Sequence, residues 1–164
     1  MAAGDEVVWA DIDELGDYTI RASIGRLQQA VAQSIPDATL TALTWTTEDI
    51  DTDGQHDTGV NTSRITPNVA GYYRFDFLYY TAAMTTPANM DVSLRKNGSG
   101  TIASGNRSAG AAVASSLSGW TIIEMNGTTD YVEVLAFQDS SGAVNSNVSA
   151  RFTSVVTWEL RRPV

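Results

Sequence analysis

Residues 72–81 constrain this chain more than any other stretch. They read Tyr-Tyr-Arg-Phe-Asp-Phe-Leu-Tyr-Tyr-Thr. Tyr73, Phe75, Phe77 and Tyr79 alternate with Tyr72, Arg74, Asp76 and Tyr80, which is the period of two expected of a β-strand. Aromatic rings therefore fall on both faces. A two-layer sandwich buries one face of each strand, so the second face needs cover. A contact between subunits is one physical reason for it; loops or an N-terminal arm are the other. The alternation leaves open which face is core. Tyr72, Tyr73, Phe75 and Tyr80 are accordingly the candidate interface residues.

The rest of the chain supports an all-β reading. Ser and Thr total 34 of 164 residues, Gly and Asn 21, and there is a single lysine, Lys96. Such a chain is rich in strand-tolerant residues and turn formers. Residues 89–96 alternate, with Met90, Val92 and Leu94 opposite Asp91, Ser93 and Arg95, and Asn97-Gly98 follows as a hairpin signal. The spacing predicts further strands over 26–35, 38–46, 63–66, 116–125, 131–138 and 151–160. In the last of these Phe152, Val156, Trp158 and Leu160 face inward. Asn126-Gly127 reads as a second hairpin turn. Residues 47–61 read as an acidic loop, 99–112 as a loop-rich hairpin and 139–148 as a long loop. About eight strands with turns between them indicate a sandwich or jelly roll.

Composition removes several classes of function. There is no cysteine, so disulfides, zinc ribbons and thiol chemistry are out. No apolar run approaches about 18 residues, so no membrane partner is expected. The first nine residues carry acids and no base, unlike a secretory signal. Residues 1–57 hold 12 acids and two bases, while residues 58–164 hold seven acids and eight bases. That pattern lacks the clustered Lys and Arg that nucleic acid requires.

Residues 1–25 form an arm distinct from the body at 26–164. Asp11 and Glu14 make a start like a capping box for a short helix, with Ile12 and Leu15 on one face and Trp9 just upstream. So short a helix is not stable alone in water. Trp9, Ile12 and Leu15 are therefore expected to anchor the arm on its own body or on a partner.

Chemical motifs are few. Asp49, Asp51 and Asp53, followed by Gly54, match the first half of a calcium loop. The twelfth position is Val60 instead of Glu, which excludes an EF-hand. The three carboxylates are candidate cation ligands; the other reading is a solvated loop ordered by Asx turns. His56, the only histidine, stands beside Asp57, yet no nucleophile elbow occurs, so it reads as a packed turn residue. Asp76, Asp91, Glu124 and Glu133 alternate outward, which suits a solvated face or an intersubunit ion pair better than a glycosidase pair. No catalytic residue and no cofactor is expected.

A resemblance emerges from several features taken in order. They are Gln33-Ser34-Ile35-Pro36 before a Thr-rich strand ending in Trp45, Asp51-Thr52-Asp53-Gly54 with His56-Asp57, and Ser63 to Pro67. Ala70 to Phe75, Arg95-Lys96-Asn97-Gly98, and Gly127 to Val132 follow. The pattern resembles the tumour-necrosis-factor-like jelly roll, the superfamily that includes the complement globular heads. More closely it resembles the small versions carried by tailed phages of actinobacteria. The resemblance implies a homotrimer and a structural virion protein, made in the bacterial cytoplasm and sited on the virion surface. A capsid decoration protein or head fibre held by its arm to the major capsid protein or another virion protein is expected. The alternative is a tail-associated receptor-binding protein, with Trp120 or the loops at 99–112 and 139–148 touching a host glycan.

Overall fold

A computed structural model describes residues 23–109 and 114–163; the candidate anchors Trp9, Ile12 and Leu15 lie outside them. The described chain is all β. In order the strands are β1 (Ile24–Gln28), β2 (Ser34–Ile35), β3 (Thr41–Ala42), β4 (Thr47–Asp51) and β5 (Arg64–Ile65). Then come β6 (Ala70–Tyr80), β7 (Ala88–Lys96), β8 (Ser99–Ala109), β9 (Ser116–Asn126) and β10 (Val132–Gln138). The last are β11 (Val144–Asn145), β12 (Val148–Ser149), β13 (Phe152–Thr153) and β14 (Val155–Pro163). Two five-stranded sheets form the body. One has the order β4-β1-β14-β6-β9; the other has β3-β10-β7-β8, with β5 also paired to β10. All pairings are antiparallel.

The core lies between the sheets. Tyr73, Phe75, Phe77 and Tyr79 of β6 enter it from one side, and Met90, Val92, Leu94, Val132 and Val134 from the other. Leu27, Leu43, Trp45 and Trp158 complete it. Burial pushes the Tyr79 phenol well above its ordinary pKa. Gly25 of β1 stands directly opposite Trp158 of β14. A Cβ at Gly25 would meet the indole ring at 1.9 Å, so only glycine leaves room for the Trp158 ring.

Turn chemistry acts as expected at one hairpin and differently at the other. Asn97 and Gly98 both have positive φ, 54° and 71°, the geometry of a tight hairpin that joins β7 to β8. Asn126-Gly127 does not make a hairpin. β9 pairs with β6, whereas β10 pairs with β7 in the other sheet, so this turn crosses the sandwich. Asn126 Oδ1 accepts the amides of Thr128, Thr129 and Asp130 at 2.9–3.0 Å and braces the crossing.

Other expectations change for reasons of long-range pairing. Residues 47–51 form strand β4 instead of loop, because β1 supplies a partner; the acids there guard a sheet edge. Residues 99–109 form the full strand β8 along β7, with no loop-rich hairpin. The stretch 26–35 is not continuous strand. β1 stops at Gln28, and Val31 is 65% exposed while Leu27 and Ile35 are fully buried. Residues 38–46 hold only the short β3, with Leu43 and Trp45 buried and Leu40 exposed. The loop at 139–148 contains β11, which pairs with β2. Buried Gln138 braces it, donating to the Ile35 and Gly142 carbonyls and accepting the Ser140 amide.

Asp130, at the crossing turn, gives a pH-dependent term. Burial raises its carboxyl, but that is outweighed by hydrogen bonds from Asn97 at 2.8 Å, from Lys96 at 2.6 Å and from the Asn126 amide at 3.0 Å, with the Lys96 charge. The net direction is below the usual carboxylate range. A carboxyl lowered on folding stabilises the fold above its unfolded value, near 3.8, and loses that contribution as pH falls through its folded value. Unfolding free energy is expected to drop below about pH 4, and Asp130→Asn to flatten that drop. Chemical denaturation at a series of acidic pH values measures it; equal slopes in both proteins would contradict the assignment.

Candidate functional site

Strand alternation sends the odd residues of β6 inward and leaves Tyr72, Arg74, Asp76, Leu78 and Tyr80 on the outer face of the first sheet. β9 adds Ser118, Trp120, Ile122 and Glu124 to this face, and β14 adds Val155, Thr157 and Glu159. Trp120 is 61% exposed and Ile122 51%, and Tyr72 is exposed beside them. Polar exposure is normal on a strand; a tryptophan, an isoleucine and a tyrosine adjoining on one flat sheet face form an apolar patch that water solvates poorly.

The patch has an ordered polar centre. Arg74 donates from Nε and Nη2 to the two carboxylate oxygens of Asp76 at 2.8 and 2.7 Å. Its guanidinium carbon also lies 5.1 Å from the centre of the Trp120 ring. The Asp76 hydrogen bonds and charge raise the Arg74 pKa further. A guanidinium with its carboxylate in place carries no net charge as a pair and is fixed in geometry, which lowers the cost of covering it. Next to it a shallow groove of about 530 Å³ runs between Leu78, Gly119, Trp120 and Val155. Farther along, Tyr80 packs against exposed Phe152 at 5.5 Å between ring centres. Phe152 thus belongs to this surface and not to the core.

The sequence candidates divide across the strand. Tyr72 and Tyr80 do lie on the outer face. Tyr73 and Phe75 are fully buried inside their own protomer and offer no surface to a partner. The reason is the parity of β6, which only the packing of the second sheet decides. Ile122, Leu78 and Val155 were missed as surface residues. The signal for Ile122 is present in 116–125, where it shares a register with Ser118, Trp120 and Glu124; Leu78 shares one with Tyr72, Arg74, Asp76 and Tyr80 on β6.

The acidic motif does not close into a calcium loop. Asp49 is taken by Arg26 and by Gln28 Nε2 at 2.9 Å. Asp51 Oδ2 accepts the His56 amide at 2.9 Å, and Asp53 accepts a hydrogen bond from Thr52. Among the described residues no group of three His, Asp or Glu side chains is placed to hold a metal ion. The His56 ring is buried, with Nδ1 2.8 Å from Glu48 Oε1 and Nε2 3.1 Å from the Thr62 carbonyl oxygen. Both ring nitrogens are occupied, so no serine is paired with them. Glu133 is buried, not solvated: Arg95 Nη2 lies at 2.9 Å, Ser63 Oγ donates at 2.8 Å, and Arg64 is at 3.8 Å.

No family model matches the chain, and no curated protein matches its sequence. Solved structures do match the fold. The globular domain of zebrafish complement 1qA superposes with a TM-score of 0.61 at 12% identity, over 87% of this chain and 99% of that one. Murine APRIL at pH 5.0 gives 0.62 at 15% identity, over 85% and 100%. Eiger TNF from S. frugiperda gives 0.63 at 9% identity, over 87% and 94%. The chain is a jelly-roll sandwich of the kind these proteins share.

Proposed function

We propose that this protein is a non-enzymatic structural module that assembles into a homotrimer through the outer face of its β4-β1-β14-β6-β9 sheet. The carrying observation is the exposed Tyr72–Trp120–Ile122 patch around the Arg74–Asp76 pair. A rotation that closes after three copies buries such a face in every subunit and leaves no open end. Trimer order is what the resemblance of the sequence motifs implies, and the jelly-roll neighbours are in keeping with it. The same resemblance supports a place on the surface of a tailed-phage particle, as a capsid decoration protein or short head appendage held by the arm that precedes β1. A tail-associated position is the second reading, and copy number separates the two: hundreds per particle against a handful.

The assembly test is direct. Light scattering on the purified chain is expected to give three times its 17.6 kDa. Trp120→Asp places a charge in the middle of the patch and is expected to yield monomers with unchanged far-ultraviolet circular dichroism. A wild-type monomer at micromolar concentration, or a Trp120→Asp trimer, would refute the interface. Deleting residues 1–20 is expected to leave the trimer and abolish binding to the particle.

A further inference from the structure

A second concave site lies apart from the sheet face and shares no lining residue with its groove. It is a cleft of about 530 Å³ between the β4–β5 loop and the β9–β10 crossing, floored by β5. Both walls are braced from within. Asp57 Oδ1 accepts the amides of Gly59 and Val60 at 2.7 and 3.1 Å, which fixes the turn at 57–60. The buried His56 ring ties the same loop to Glu48 and the Thr62 carbonyl. The opposite wall is fixed by the three amides gathered on Asn126 Oδ1. Preformed walls spare a ligand the entropy of ordering them.

The groups left free in this cleft define its chemistry. Asp57 Oδ2, the Asn61 carboxamide and the Thr66 hydroxyl make no hydrogen bond among the described residues, though each residue lines the cleft. The Arg64 guanidinium carbon lies over the Tyr131 ring, 4.1 Å from its centre, and the two planar groups together form one wall. The two guanidinium groups at this end, Arg64 and the Arg95 behind it, are matched by two carboxylates, buried Glu133 and the cleft-lining Asp57, so the cleft holds no net positive charge to select an anion. Val60, 63% exposed, adds one apolar contact. Free acceptors and donors around a planar wall and a small apolar spot match a ring with hydroxyls at its rim and C–H bonds on its face.

We infer that this cleft is a binding site for a neutral saccharide, with Asp57 and Asn61 receiving vicinal hydroxyls and the Arg64–Tyr131 stack lying against the ring. The inference is independent of the assembly surface, and it places sugar contact away from Trp120 and from the loops at 99–112 and 139–148.

Saturation-transfer NMR on the assembled full-length protein tests it, with the methyl glycosides of glucose, galactose, mannose and N-acetylglucosamine as probes. At least one is expected to receive saturation. Asp57→Ala alone removes the loop brace as well as the free oxygen, so Asn61→Ala and Thr66→Val serve as the second pair. Each is expected to weaken binding about tenfold or more while melting stays unchanged. The inference is overturned if none of the four sugars receives saturation at millimolar concentration. It is also overturned if binding survives the Asn61→Ala/Thr66→Val double variant, or if Trp120→Ser removes binding instead.

Discussion

Phe75→Ala is expected to cost about 3–5 kcal/mol of folding stability, the range for deleting a fully buried ring. Phe75 has no exposed surface, lies 6.2 Å from Tyr73 between ring centres, and sits in mid-strand on β6. The neighbours of such a site are fixed by sheet pairing on both sides, to β14 through Trp158 and to β9 through Thr121, so they cannot collapse into the void. Against a typical total of about 5–15 kcal/mol this loss brings the fold close to failure. Urea denaturation of the variant measures it. A Phe75→Ala protein that unfolds like the wild type but no longer assembles would return Phe75 to the contact face. The contrast with Trp120→Asp is the point: neighbouring strands carry one aromatic whose loss unfolds the protomer and one whose loss separates protomers.

The second large effect is expected at Glu133. Its carboxylate is buried and satisfied by Arg95 Nε at 3.0 Å, Arg95 Nη2 at 2.9 Å and Ser63 Oγ at 2.8 Å. Removing Arg95 leaves this buried carboxylate with only the Ser63 hydroxyl and the more distant Arg64 at 3.8 Å. Arg95→Met is therefore expected to destabilise by about 3 kcal/mol or more. Removing both charges takes away the desolvation cost together with the attraction, so Arg95→Met/Glu133→Leu is expected to recover most of that loss. Thermal and urea unfolding of the two variants decide it. A double variant less stable than Arg95→Met would show that the pair contributes more than the burial it requires.

The all-β class, the β6 strand and the Asn97-Gly98 hairpin were legible because each is written in local chemistry. Alternation over ten residues has only one regular backbone that accommodates it, and two consecutive positive-φ positions favour Asn-Gly. The candidate surface was legible only by half. The aromatic strand announced that two faces needed cover, but its parity, and with it the roles of Tyr73 and Phe75, depended on where the second sheet lay.

What the sequence by itself determined is the alphabet of this protein: strands, turns, no disulfide and one aromatic-rich ribbon. Tertiary structure alone decided which strands meet. Thr153 hydroxyl and Gln29 carbonyl, 124 positions apart, share a hydrogen bond at 2.7 Å, and no window of neighbouring residues carries that information. The same long-range pairing turned an acidic loop into β4 and a small-residue loop into β8, and sent the Asn126-Gly127 turn across the sandwich. Sheet energy is collected between distant segments, so a residue's strand state, and the face it shows to water, belong to its partner as much as to itself.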